Sequence, residues 1–223
     1  MNTDNDIFLD TLERKYYLLL SGRWFRSDRL DGNWGFVASD SLPEGFAEIQ
    51  EGSPKDRVLA CVAGTEAAGD AVLDAGIPQT ARVSRAAKAD VSYDGVPQYA
   101  AIRGTHLQYA VNSSVPVVVS NGRYYCIDKA VWFVAPTPAG PWTAAVARPA
   151  EMELIPPDCP VYNCKFVYIY GDTPDFIMTG YTPGYLGSYV QGSTVVYGTG
   201  YNYPSWTGSV SLPRPLTWGS ICG

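Results

Sequence analysis

The strongest constraint on this chain is an internal echo. Tyr16-Tyr17 and Trp24-Phe25 return as Tyr124-Tyr125 and Trp132-Phe133 at one offset, 124 − 16 = 108 and 132 − 24 = 108. Asp31-Gly32-Asn33-Trp34 returns as Ala139-Gly140-Pro141-Trp142, again at 142 − 34 = 108. After a two-residue slip, Leu42-Pro43 is answered by Arg148-Pro149, Ile49 by Ile155 and Ser53-Pro54 by Cys159-Pro160. Aromatic landmarks in one register mark a duplicated supersecondary unit, and a small unit of this kind cannot bury its apolar face alone. We therefore read residues 1–60 and 112–160 as two diverged copies of one aromatic β unit, each leaning on the other or on the chain between them.

Each copy reads as an antiparallel meander: a strand with the Tyr-Tyr pair, a turn, a strand with Trp-Phe, and a glycine turn leading to the next Trp. Alternation puts Tyr17 and Leu19 on one face and Tyr16, Leu18 and Leu20 on the other. Gly32 and Gly140 supply turn backbone, and Pro141 fixes φ beside its glycine. The two Trp of each copy are expected to seed a small core. The connecting segment, 61–111, is α/β: a short helix with Thr65 as N-cap runs to about Ala75 and stops at Gly76. Strands are expected over Ile77–Val83 and Ala89–Gly95, with extended chain from Val96 to Asn112. The tail, 161–223, is rich in Tyr and Gly. Phe166–Tyr170 alternates as a strand, Gly180–Tyr185 and Ser193–Tyr201 suggest hairpins, and the stretch from Tyr203 to Gly219 reads as irregular. The expected class is mainly β: two repeated antiparallel meander units, a short intervening helix and a Tyr/Gly-rich β-hairpin tail.

Composition narrows the partners. The net charge is −6 and no basic residues cluster, so nucleic acid is excluded as a partner, as is adsorption to an anionic membrane. The most apolar run, Val115–Val119, is far below the ~20 residues needed to span a bilayer as a helix. The first residues lack the basic and apolar regions of a signal peptide. Of the cysteines, Cys159 and Cys164 could bridge across a turn, whereas Cys61 and Cys126 read as buried free thiols; Cys222 completes the set.

Several motifs together resemble a family of large bacterial proteins, some members of which carry a carbohydrate-binding label of the chitin-binding type. They are Arg23-Trp24-Phe25 with Leu30-Asp31-Gly32-Asn33-Trp34, Ile77-Pro78-Gln79-Thr80-Ala81, and Tyr93-Asp94-Gly95-Val96-Pro97-Gln98. Ile102-Arg103-Gly104-Thr105, Tyr109-Ala110-Val111-Asn112, Gly140-Pro141-Trp142 and Gly180-Tyr181-Thr182-Pro183-Gly184-Tyr185 complete the set. The resemblance covers most of the chain. It implies a glycan as ligand, in a protein family whose members are usually longer; the duplicated aromatic unit without catalytic groups adds the expectation of an envelope or extracellular setting, with a glycan or partner protein bound through aromatic surface.

Catalytic chemistry finds little footing. His106, the single histidine, has no nucleophile or metal-ligand spacing around it. Asp31, Asp94, Asp128 and Asp172 fall at expected turns, and Asp31 is replaced by Ala139 in the second copy, against a paired-carboxylate glycosidase. No catalytic residue, metal site or cofactor is expected. The remaining resource is aromatic: Trp24, Trp34, Trp132, Trp142, Tyr181, Tyr185 and Tyr197 are the candidate ligand-binding residues, with core packing as the competing role. The expected function is a non-catalytic binding or structural module with a glycan as candidate ligand. The alternatives are a self-assembling subunit, pairing through the low-charge tail as a homo-oligomer, and a polysaccharide hydrolase.

Overall fold

A computed structural model describes residues 5–197 of the chain. The class is mainly β, with fifteen strands in four antiparallel sheets, one α-helix and several short 3₁₀ turns among the described residues. They divide into two compact units, residues 5–77 with 187–197, and residues 78–186. The segment 61–111 is thus shared between the units at residue 77, and the tail is shared at residue 186.

The first unit opens with a four-stranded meander, β1 (Ile7–Asp10), β2 (Lys15–Leu20), β3 (Arg23–Ser27) and β4 (Gly35–Val37), paired in that order. Register places Phe8 opposite Tyr17, Leu19 opposite Trp24 and Trp24 opposite Val37, so these share one face. That face is the core, closed by Phe46, Val58 and Cys61. The Phe46 ring meets Trp24 edge-on at 5.0 Å and Tyr17 at 5.1 Å. The β2–β3 turn is two residues long, with Ser21 and Gly22 at φ of 50° and 75°. Positive φ at both central positions matches the right-handed strand twist. Gly22 is also required by space, since a Cβ there would lie 2.6 Å from the Val195 carbonyl oxygen. Helix α1 (Glu66–Asp74) begins where its cap predicts, the Thr65 hydroxyl accepting from the Ala68 N–H at 3.2 Å.

The second unit contains β5 (Gln79–Ser84), β6 (Tyr99–Ala101), β7 (Gln108–Ala110), β8 (Val117–Ser120), β9 (Arg123–Asp128), β10 (Val131–Ala135) and β11 (Thr143–Ala144). Strands β6 to β11 form a six-stranded sheet in sequence order. Strands β12 (Val167–Asp172) and β13 (Phe176–Tyr181) pair with β5 in a three-stranded sheet, order β12-β13-β5. Two expectations need correction here. Residues 89–95 form no strand: the chain there is an extended ribbon joined to the sheet by one bridge, Tyr93 to Ser113. Its alternation is strand-like because Ala87, Ala89, Val91 and Tyr93 pack face-on against the sheet rather than edge-to-edge. Residues 96–112, expected as plain extended chain, hold the short hairpin β6–β7, whose pattern is muted by Ala and Gln.

Strands β2 and β9 span 15–20 and 123–128, and β3 and β10 span 23–27 and 131–135, each pair displaced by 123 − 15 = 108 and 131 − 23 = 108. The last hairpin, β14 (Ser188–Gln191) and β15 (Thr194–Tyr197), belongs to the first unit. Tyr197 N–H donates to the Ser21 carbonyl at 3.0 Å. Arg23 fastens the same hairpin, donating to the Tyr197 carbonyl at 2.9 Å and to the Tyr189 hydroxyl at 3.0 Å. The remainder of the expected Ser193–Tyr201 hairpin, and the irregular stretch from Tyr203, lie outside the described residues.

Candidate functional site

Trp24 and Trp132 are each only 1% exposed. Both indoles spend their N–H on a backbone carbonyl, Trp24 on Cys61 at 2.7 Å and Trp132 on Val167 at 2.9 Å. The acceptors differ by 167 − 61 = 106, the same two-residue slip seen in the sequence. Trp142, Tyr181, Tyr185 and Tyr197 are buried as well. The Tyr181 and Tyr185 rings pack at 5.2 Å, and burial pushes the Tyr181 phenol up to about 12. The Tyr185 hydroxyl accepts from the buried Ala130 N–H at 3.2 Å. These side chains therefore present no flat face to a ligand: their area is already spent inside the protein. Of the aromatics expected to bind, only Trp34 is half-exposed. Nor do the Trp of a unit share a core. Trp34 stands outside the cluster around Trp24, and Trp142 packs with Val117, Cys126 and Phe133 on the sheet face opposite to Trp132.

The polar candidates are engaged elsewhere. Asp31 accepts from Arg29 at 2.9 and 2.8 Å, which holds its carboxyl below the ordinary value. Asp172 pairs with Arg85. His106 donates its backbone N–H to Glu151 at 2.7 Å and sets its ring 3.2 Å away; these contacts lower the Glu151 carboxyl. Among the described residues no three His, Cys, Asp or Glu side chains gather as a metal site. Cys126, Cys159 and Cys164 are free thiols, so the turn holding Cys159 and Cys164 is unbridged. Burial pushes the Cys126 and Cys164 thiols up, away from the reactive thiolate.

Two concavities among the described residues lie in the first unit, and a further one of about 340 Å³ lies in the second, beside Tyr109, Ser113 and Pro160. A cleft of about 140 Å³ lies where the β2–β3 turn, the end of β4 and the β14–β15 turn meet. It brings together Phe36, Ser39, Asp40, Gln191 and Ser193. Phe36 is 58% exposed, and Thr194 ties the floor by donating to the Ser39 hydroxyl at 3.2 Å. An exposed ring, a carboxylate, an amide and hydroxyls are the groups that recognise a sugar unit. The second concavity, about 700 Å³, is lined by Phe8, Leu12, Pro43 and Ile49 together with Glu44 and Lys55. The residues of the small cleft escape a sequence reading. Phe36 hides in a three-residue strand, and Gln191 and Ser193 arrive from a hairpin more than 150 residues along the chain.

Comparison with family models, curated proteins and solved structures returned no match. No helix of the described residues is long and apolar enough to cross a membrane.

Proposed function

We propose that this chain is a non-catalytic binding module of a bacterial envelope or extracellular protein, built from two copies of one aromatic β unit. Duplication is supported by the common displacement of the strands and by the two indoles donating to carbonyls at corresponding positions. Trp24 and Trp132 act as internal keystones, and binding falls to what the units leave open.

The observation that carries a ligand reading is the cleft beside Phe36. Its ring can stack on the apolar face of a sugar while Asp40, Gln191 and Ser193 accept and donate to hydroxyls. The reading is tested with the purified full chain and an Asp40→Ala, Gln191→Ala double variant, exposed to chitin, cellulose and peptidoglycan. Retention of the parent chain on one polymer, reduced at least about tenfold in the variant, is expected, since each lost charged or bidentate contact is worth roughly 1–3 kcal/mol. Failure of the parent chain to be retained on any of the three would dispose of the glycan ligand.

A further inference from the structure

Arg23 is a cation without a counterion. It opens β3, is half-buried, and forms no ion pair among the described residues. Its guanidinium donates three hydrogen bonds, all to neutral oxygens. Nη1 reaches the Ser21 carbonyl at 3.4 Å and the Tyr197 carbonyl at 2.9 Å, and Nη2 reaches the Tyr189 hydroxyl at 3.0 Å. Two of its five N–H donors, the one on Nε and one on Nη2, are left without an acceptor. Fastening the hairpin accounts for the three bonds but not for the charge, since a neutral amide would donate to the same oxygens. Nor does the meander demand a cation here. At the offset 131 − 23 = 108 the second unit has Val131, which is 3% exposed. A charge drawn partly out of water and left unpaired carries a standing cost, which an anion brought by a ligand would offset.

Arg23 lines the same cleft as Phe36, Asp40, Gln191 and Ser193. Asp40 comes from the short 3₁₀ turn Ser39–Ser41, is exposed, and accepts from the Ser41 hydroxyl at 3.2 Å; it does not pair with Arg23. One small cleft therefore offers a guanidinium and a carboxylate that do not satisfy each other. A neutral sugar would answer Asp40 with its hydroxyls and leave Arg23 as it is. An inorganic anion would answer Arg23 and bring nothing for Asp40 or for the Phe36 ring.

We infer that the cleft takes a sugar unit bearing a carboxylate, a sugar acid whose carboxylate lies against Arg23 while ring hydroxyls donate to Asp40. The inference rests on the sugar reading of this cleft and names the class of sugar. The geometry of the uncommitted donors supports a carboxylate: Nε and Nη2 lie on one edge of the guanidinium, and two N–H on one edge match the two oxygens of a planar carboxylate. The chain uses that edge elsewhere, where Arg29 holds Asp31 through Nε at 2.9 Å and Nη2 at 2.8 Å. Of the three polymers named above, retention is then expected first on peptidoglycan, which carries carboxylates, ahead of chitin and cellulose, which carry none.

The test titrates the isotope-labelled full chain with methyl glucuronide and, separately, with methyl glucoside, two sugars that differ only in carboxylate against hydroxymethyl. The amides of Ser39, Asp40, Gln191 and Ser193 are followed by nuclear magnetic resonance. Saturable shifts are expected with the glucuronide, at a Kd at least about tenfold below that for the glucoside. Salt at about 0.5 M should shrink the preference. Arg23→Gln keeps a donor and removes the charge, and should bring the two sugars to equal affinity. Slow exchange at the Tyr197 amide, which donates to Ser21, shows that the hairpin is still seated in the variant. If that protection is lost, the preference of the parent chain and its salt dependence decide alone. Equal affinity of the parent for the two sugars would overturn the inference and leave the sugar cleft standing. Shifts with neither sugar would overturn both. A glucuronide preference that survives in Arg23→Gln with its hairpin seated would remove Arg23 from the site and the inference with it.

Discussion

Trp24 and Trp132 show at single-residue scale how this protein spends its aromatic side chains. Each is sealed in the interior and each satisfies its only polar atom on the backbone of a segment some 35 to 37 residues on. Phenylalanine in either place keeps much of the packing and leaves a buried carbonyl without its donor, at a cost of about 2–3 kcal/mol. Trp24→Phe and Trp132→Phe should therefore lose similar stability in urea titrations, and a cost confined to one of them would argue against equivalent roles. Asp6 offers a second residue-scale prediction. Burial alone would raise its carboxyl, but hydrogen bonds from Lys55 and Arg57, the latter at 2.7 and 2.9 Å, leave it below the ordinary value. A depressed carboxyl stabilises the fold above the ordinary carboxylate value and loses that contribution as pH falls through the folded value. Asp6→Asn should cost about 1–2 kcal/mol at pH 7, because both cations remain partly in water. The gap to the parent chain should close as pH falls below about 4; a gap that persists at pH 2 would mean that packing, not charge, is at work.

At the scale of elements, the alternating strands and the capped helix were legible because their signals are local. Tyr17 and Leu19 sit inside and Thr65 caps α1 as their spacing demands. The segment 89–95 reads as a strand and is not one for a physical reason: one-sided burial produces alternation whether the chain pairs at an edge or lies across a face. The roles of Tyr181 and Tyr185 were equally hidden, since only tertiary packing distinguishes a keystone from a binding ring. Tyr185 makes the point measurable. Its hydroxyl receives the N–H of Ala130, a residue held at a φ of 56° in the β9–β10 turn. Tyr185→Phe strands that buried donor and should lower stability by about 1–3 kcal/mol. Amide exchange at Ala130 should rise more than at Ile127; equal protection before and after substitution would refute the role.

On the scale of the whole molecule, the chain order and the structural order part company. The two-unit division could not be read from composition, because the hairpin that completes the first unit follows the second in sequence. Val195 and Tyr197 pack with Ala60 and Ala71 beside α1. Val195→Asp places an unpaired charge in that cluster and should cost about 3–5 kcal/mol, borne by the first unit. Thermal unfolding followed at residues of each unit should then separate into two transitions, the first unit melting earlier. A single shared transition would show the units to be energetically inseparable.

The returning hairpin also has a consequence for biogenesis. While the chain is being synthesised, the N-terminal sheet leaves the ribosome with its Ser21-Gly22 turn uncapped, and stays so until Tyr197 has emerged. The middle of the polypeptide can mature first, and the beginning must wait for a latecomer. A gene fragment cut after residue 77 would encode an N-terminal unit lacking its closing piece.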